Sequence, residues 1–133
     1  MAVSLHHSPT ASHLCLGREG ERIAERFLEH LGYRILDRNV RLGRDEIDLV
    51  AFDPVDQVRV FVEVKSRRSQ SEEYPARMNA SPFKIRKFQR AVDRWLAEHD
   101  EDGYVRLDLV CVEEGKVTEH FKEIGAQDGE TYE

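Results

Sequence analysis

The stretch from residue 46 to residue 65 restricts the fold more than any other part of the chain. It consists of two apolar, β-branched runs joined by a short segment with turn-forming Asp and Pro: Glu46–Phe52, residues 53–57 and Val58–Lys65. Such a pattern is typical of a β-hairpin. Three charged side chains, Asp48, Glu63 and Lys65, stand inside these otherwise buried runs. Because a charge in a buried strand is unfavourable unless it is paired or bound to a metal, we predict a functional site on this hairpin.

The remaining sequence places helices and short strands around the hairpin. Apolar residues at three- and four-residue spacing predict an amphipathic helix from Leu16 to Leu31, and Ser81-Pro82 is a typical helix start. Further strands are expected at residues 33–36, 105–112 and 117–124, with polar connections at 37–44 and 66–81. The order of helix, strand, hairpin, helix and two strands predicts an α/β fold built on a mixed sheet.

Length and composition limit the class of protein. At 133 residues we expect one domain over residues 15–125, a flexible leader over 1–14 and a disordered acidic tail over 126–133. No apolar run approaches the ~20 residues of a membrane helix, and the first residues do not form a signal peptide, so no membrane partner is expected. Two cysteines are too few for a disulfide framework, which favours reduced thiols in a cytoplasmic protein.

Positive charge is concentrated in one segment. The net charge is −6, yet residues 61–95 carry nine lysines and arginines against four acids. Along the second helix arginines recur every four residues, with two lysines nearby. Such a run is more often a solvated face, but here it follows directly after the Glu63–Lys65 strand, which favours contact with phosphates. We therefore predict nucleic-acid binding, DNA above all, by Arg67, Lys84, Arg86, Lys87, Arg90 and Arg94.

The hairpin charges suit a metal-dependent hydrolysis. Two carboxylates on neighbouring strands repel each other and favour a divalent cation between them, and Mg²⁺ prefers such oxygen ligands. We expect Asp48 and Glu63 to bind Mg²⁺ or Mn²⁺, with the main-chain carbonyl of Val64 as a further ligand. Lys65 lies on the same face as Glu63 and can steady an attacking water or the charge on a phosphate. Phosphodiester hydrolysis needs this set, although a structural ion network remains the simpler alternative. The six histidines are scattered and show no zinc-binding spacing.

Two further acids are ambiguous from the sequence. Glu21 lies early in the first helix, where an acidic residue favours the helix dipole, and periodicity alone supports that interpretation. Asp108 lies between apolar neighbours in a predicted strand. A lone carboxylate in that setting is more often a sheet-edge or hydrogen-bonded structural group than a catalytic one.

An ordered set of motifs resembles the bacterial YraN family over about Gly17 to Val112. The set is Gly17-x-x-Gly20-Glu21-x-x-Ala24, Gly32-Tyr33-Arg34-Ile35-Leu36-x-Arg38-Asn39, Glu46-Ile47-Asp48-Leu49-Val50 and Phe61-Val62-Glu63-Val64-Lys65-x-Arg67. The resemblance implies a PD-(D/E)xK nuclease with the restriction-endonuclease-like fold, a three-layer sandwich whose central mixed β-sheet is flanked by helices. It also implies a relation to archaeal Holliday-junction resolvases. The family's active-site positions correspond to Glu21, Asp48, Glu63 and Lys65.

The chain departs from the family pattern at two places. Where the family usually has Gly-Glu-Ile-Asp, this chain has Asp45 before Glu46-Ile47-Asp48, and Tyr74-Pro75 stands where a glycine is usual after the lysine strand. Neither change touches the expected ligands, but both concern loop geometry and therefore substrate shape.

Residues and resemblance together predict a divalent-metal-dependent endonuclease that hydrolyses phosphodiester bonds in DNA, including branched DNA. Two alternatives stay open: a non-catalytic nucleic-acid-binding protein of the same fold, and a structural protein whose carboxylates belong to an ion network. A homodimer would suit the cutting of two strands, although nothing in the sequence locates an interface.

Overall fold

The computed structural model of the chain describes residues 9–67, 82–101 and 103–124. Within them the chain forms two helices and five strands: α1 (Pro9–His30), β1 (Arg34–Leu42), β2 (Asp45–Asp53), β3 (Val58–Arg67), α2 (Pro82–Glu98), β4 (Val105–Glu113) and β5 (Lys116–Phe121). In this part of the chain neither helix has the length and apolarity to span a bilayer.

The five strands form one mixed sheet in the order β1-β2-β3-β4-β5. Strands β3 and β4 are parallel, and the three other neighbouring pairs are antiparallel. Since parallel strands need a crossover connection, α2 lies between β3 and β4 in the chain. The predicted α/β class and mixed sheet are confirmed, as is the β2–β3 hairpin.

Each face of the sheet is covered by one helix. Val60 and Val62 of β3 pack with Leu28 of α1, whereas Phe61 between them packs with Trp95 of α2, its ring centre 5.1 Å from the indole. This alternation is what a strand buried on both sides requires. The predicted apolar stripe of α2 is confirmed, since it packs on this face through Phe88, Ala91, Val92, Trp95 and Leu96.

Strand β1 is longer than predicted. The sequence suggested a strand over residues 33–36 and a polar link over 37–44, and the polar link is wrong, because β1 continues to Leu42 and turns at Gly43, which has a φ of +68°. A register shift between Ile35 and Asp37 changes the phase of the strand. Ile35 packs towards α1, whereas Val40 and Leu42 pack towards α2, and the four residues between Ile35 and Val40 are all exposed. Because so few of its residues are buried, β1 shows no continuous apolar–polar alternation in the sequence.

The other helix and strand boundaries differ less from the predicted ones. Helix α1 begins at Pro9, before the predicted start at Leu16, and β5 ends at Phe121, so that buried Ile124 lies beyond it. Pro82 opens α2 as predicted. Several predictions lie outside the described residues: those on the leader residues 1–8, on the connection 68–81 with Ser81 and Tyr74-Pro75, and on the tail 126–133.

A buried network of charges joins four parts of the sheet around Arg106. Its guanidinium donates to Asp53 Oδ2 at 2.9 Å, to Asp108 Oδ1 at 3.0 Å and to the Tyr33 hydroxyl oxygen at 2.7 Å. The His120 ring lies 2.8 Å from Asp108. Asp108 is thus a hydrogen-bonded structural group, and it lies in a central strand rather than at an edge.

The network holds its carboxylates in the charged form. Burial acts to raise the pKa of Asp108, but the hydrogen bonds from His120 and Arg106 outweigh it and keep that pKa below its ordinary value. Burial of Asp53 is likewise outweighed by Arg106, so its pKa is also lowered. These buried acids are therefore compensated by a cation.

Replacing Arg106 by Met is expected to lower the free energy of unfolding by about 3–5 kcal/mol, because Asp53 and Asp108 would stay buried without their partner. Urea denaturation measures the change. The control Glu98→Gln removes the exposed ion pair with Arg94 and should change stability by about 0.3–0.5 kcal/mol. Equal effects of the two substitutions would show that the Arg106 network does not stabilise the fold.

Candidate active site

The hydrogen-bond ladder between β2 and β3 ends at the pair Leu49–Val62. The next residues beyond this pair are Asp48 of β2 and Glu63 of β3, and the charge of Glu63 acts on Asp48. The N–H of Val64 donates to Asp48 Oδ2 at 2.7 Å instead of continuing the ladder. A side-chain carboxylate thus replaces a main-chain acceptor, and the strand ends are free to present side chains.

Three carboxyl groups meet at this point. Glu21 of α1 hydrogen-bonds to the Asp48 side chain, and the charge of Glu63 acts on both. Burial, followed by the charge of Glu63, raises the pKa of Asp48 to about 8, against the opposing hydrogen bond from Val64. Burial also raises the pKa of Glu21. With all its carboxylates ionised the cluster is electrostatically unfavourable, so it favours a bound cation.

Lys65 supplies one positive charge inside this cluster. Its Nζ lies 3.1 Å from Glu63 Oε2, and both side chains are about one-quarter exposed. The two residues share a face of β3 because they are two positions apart. Lys65 is therefore held at the carboxylates and is still reachable from solvent.

An open cleft of about 260 Å³ contains the strand-end residues. Its acidic lining residues are Asp45, Glu46, Asp48 and Glu63. Its cationic lining residues are Arg44, Lys65, Lys84 and Lys87. A cleft with carboxylates at one point and cations around them suits an anionic ligand that brings or shares a metal ion.

Only part of the predicted nucleic-acid-binding set reaches this cleft. Lys84 and Lys87 line it from the first turns of α2. Arg86 is exposed on α2 but is not among the lining residues, and neither is Arg67, which is half-buried at the end of β3.

The last two predicted arginines contact the β1–β2 turn. Arg90 forms an ion pair with Asp45, Nε to Oδ2 at 3.3 Å, and its side chain is still 63% exposed. Arg94 donates to the carbonyl oxygen of Leu42 at 3.4 Å. Both side chains contact the segment around the β1–β2 turn, and we expect these contacts to stabilise that side of the cleft.

Sequence reasoning missed Arg44 as a lining residue of the cleft. It lies in the tight turn between β1 and β2, within the segment interpreted as a polar link. The sequence feature that could have indicated it is its position directly before Asp45 and Glu46. That position has a structural meaning only once β1 is known to extend to Leu42, because Arg44 then lies in the turn that leads into β2.

The donor set fits a metal held by few protein ligands. Across residues 9–67, 82–101 and 103–124 no group of three or more His, Cys, Asp or Glu side chains is placed to hold a metal ion. Asp48 and Glu63 provide two carboxylates, with the main chain of Val64 adjacent. Mg²⁺ is commonly bound by one or two carboxylates, with water and substrate phosphate completing its six positions. The residues present fit that kind of site.

A close approach of α1 to β3 positions Glu21. A Cβ atom built on Gly20 would overlap the Ser66 hydroxyl oxygen and lie 3.1 Å from Ser66 Cβ. Only a residue without a side chain lets the helix come this near to the strand. Because Glu21 follows directly, the contact determines how far its carboxyl group reaches towards Asp48.

These features define an α/β protein with a carboxylate–lysine cluster at the end of a strand ladder. Residues 20–112 match the family described as "Uncharacterised protein family UPF0102", and the chain belongs to this family. The match runs from Gly20 to Val112 and includes Glu21, Asp48, Glu63 and Lys65. The resemblance to the YraN-like family is therefore confirmed as far as family membership is concerned.

Several relatives share most of the chain, and each carries the description "UPF0102 protein". One from Pelobacter propionicus is 42% identical over 97 residues, covering 72% of this chain and 69% of the relative. One from Chlorobaculum parvum is 42% identical over 105 residues, covering 78% and 79%. One from Beutenbergia cavernae is 38% identical over 115 residues, covering 83% and 95%.

Replacing Gly20 by Ala is expected to destabilise the protein by about 1–3 kcal/mol, because the added methyl group overpacks the contact with Ser66. Gly17→Ala is the matched control: it meets no atom within 4 Å and should stabilise the helix by about 0.5–1 kcal/mol. Urea denaturation measures both. Ser66→Ala, added to Gly20→Ala, should restore part of the loss. Equal stability of the two glycine variants would show that α1 and β3 are not in close contact here.

Proposed function

We propose that this protein is a divalent-metal-dependent endonuclease that hydrolyses phosphodiester bonds in DNA, including branched DNA. The proposal includes the restriction-endonuclease-like arrangement of the sheet and its two helices. The observation that carries it is the meeting of Asp48 and Glu63 where the β2–β3 ladder ends, with Lys65 on the same face as Glu63.

The metal would be held by the carboxylates of Asp48 and Glu63 and the carbonyl oxygen of Val64. When bound, Mg²⁺ or Mn²⁺ would neutralise negative charge on the reacting phosphate and polarise its oxygens. Glu21 contacts Asp48 and so orients one ligand. The set consists of hard oxygen donors, which these ions prefer.

Lys65 would position the water that attacks the phosphorus. Its Nζ already lies beside Glu63, and its three N–H groups can donate to a water oxygen or a phosphate oxygen. The water oxygen forms a bond to phosphorus, the ester bond to the leaving oxygen breaks, and the proton lost from the water is balanced by one taken up at that oxygen. The products are a phosphate monoester and a hydroxyl group.

The cations of the cleft would hold the rest of the strand. Lys84 and Lys87 approach from α2 and Arg44 from the β1–β2 turn, on the same cleft as the carboxylates. Contacts of this kind to phosphates give affinity without reading the base sequence. The site can therefore accept backbone of many sequences.

Comparison of the two charge clusters argues against a purely structural role for the carboxylates. Asp53 and Asp108 are buried around Arg106, which compensates them. Around Asp48, Glu63 and Glu21, Lys65 is paired with Glu63 and Arg18 acts on Glu21 through its charge. The partners of Asp53 and Asp108 lower the pKa of each, whereas the pKa of Asp48 and that of Glu21 are raised, so the site cluster lacks the compensation of a structural ion network, which supports a functional role.

Glu63→Gln and Lys65→Ala are each expected to lower the cleavage rate by about 10²–10⁴-fold, because one removes a metal ligand and the other the group that positions water. The assay uses supercoiled plasmid and a four-way DNA junction with Mg²⁺ or Mn²⁺. Asp93→Asn, an exposed carboxylate on α2 outside the cleft, serves as the control with the same charge change and should keep the wild-type rate.

Two results would contradict the proposal. If wild type and Glu63→Gln cleave DNA at the same rate, the activity does not come from this site. DNA binding by the wild type without cleavage in either metal would identify the protein as a non-catalytic nucleic-acid-binding module.

A further inference from the structure

A second, larger cleft adjoins the active centre on the side of α1. It has a volume of about 500 Å³ and is lined by α1 and β1, with Leu49 as an apolar lining residue. Glu21 lines this cleft, whereas Asp48, to which it is hydrogen-bonded, lines the first one. The two clefts therefore meet at the Glu21–Asp48 contact.

Four arginines and three glutamates line this second cleft, which we name the arginine groove: Arg18, Arg22, Arg26 and Arg38, with Glu21, Glu25 and Glu29. The three from α1 recur every four residues and are all exposed. Residues four apart lie on the same helix face, about 6 Å apart along the axis. They form a row of exposed arginines along one side of α1, with Arg18 and Arg22 on either side of Glu21 in the chain and Arg26 one turn further on.

Two of the three acids of the groove are already engaged by hydrogen bonds, and the third, Glu29, acts on Arg38 through its charge. Glu25 accepts two hydrogen bonds from Arg38, at 2.9 Å and 2.6 Å, and Glu21 is hydrogen-bonded to Asp48. Arg18 acts on Glu21, and Arg26 on Glu25, through charge alone.

The α1 arginines are consequently available to a ligand. Within the part of the chain that the structure describes, Arg18, Arg22 and Arg26 make no ion pair or hydrogen bond to a carboxylate. Their row of donors is fixed in direction by α1. Arginine binds phosphate through two parallel hydrogen bonds, a geometry that suits a backbone laid along the groove.

We propose that the arginine groove binds the phosphate backbone of the nucleic acid on the far side of the reacting phosphate from Lys84 and Lys87. The inference rests on the proposed nuclease function and adds a substrate property to it. With phosphate contacts in both clefts, the chain of the substrate continues on both sides of the active centre. The bond that is cut is therefore internal, and a free end is not required.

The test measures binding without catalysis. Fluorescence anisotropy of a labelled DNA duplex in EDTA gives the slope of the logarithm of the association constant against the logarithm of salt concentration. Each lost phosphate contact lowers the magnitude of this slope by about 0.9 on duplex DNA. Arg22→Gln with Arg26→Gln should therefore lower the magnitude of the slope by about 1.8.

The matched control is Lys116→Gln with Lys122→Gln. It removes two exposed charges at and just after strand β5, which lies at the far edge of the sheet from β1, and should leave the slope unchanged.

The possible outcomes distinguish a failure of the groove proposal from a failure of the proposed nuclease function. If the arginine pair keeps the wild-type slope while Lys84→Gln with Lys87→Gln lowers it, the groove does not contact phosphate, and the nuclease proposal stands. If wild-type protein shows no salt-dependent binding, both proposals fail. Cleavage of a closed single-stranded DNA circle by the metal-loaded protein should occur; failure to cut circles while linear strands are cut would contradict the endonuclease of the proposed function together with the continuation of the strand through both clefts.

Discussion

The hydrogen bond from the Val64 N–H to the Asp48 carboxylate is the contact on which the site depends. In a regular antiparallel pair the next acceptor would be a main-chain carbonyl, and the strands would stay paired to their ends. Here a side chain takes that position, at 2.7 Å, and the ladder stops at Leu49 and Val62. The same contact orients Asp48, which shares a cleft with Glu63, Lys84 and Lys87.

Strand β2 contributes to two clusters of charged side chains that differ in how their carboxylates are compensated. Near its end, Asp53 is buried with Asp108 around Arg106, and each carboxylate has a donor. Near its start, Asp48 lies with Glu21 and Glu63, and burial raises its pKa instead of leaving it fully ionised. The first arrangement stabilises the sheet. The second is electrostatically unfavourable when all its carboxylates are ionised, which is the basis for proposing that it binds a cation.

The parts of this structure that sequence could predict are those with local periodicity. The hairpin, the apolar stripe of α2 and the misplaced charges Asp48 and Glu63 all follow from two- and 3.6-residue patterns. Strand β1 could not be delimited because four consecutive residues in its middle are exposed and give no alternation. The Arg106 network could not be foreseen as a whole, since Asp53 is 53 residues away in the chain, although Asp108 lies only two residues along the same strand. From periodicity alone Glu21 looked like a helix-dipole residue, and it was the family resemblance that implied an active-site position. The packing of α1 on β3 brings it to Asp48.

The central claim is that Asp48 and Glu63 together bind a divalent metal ion, and a crystal soaked in Mn²⁺ tests it most directly. Anomalous diffraction locates manganese independently of the carboxylates. The account predicts one peak between the two side chains, with metal–oxygen distances of about 2.0–2.2 Å. It is contradicted if no peak is present at saturating Mn²⁺ while Asp48 keeps its bond to Val64 and Glu63 keeps its ion pair with Lys65.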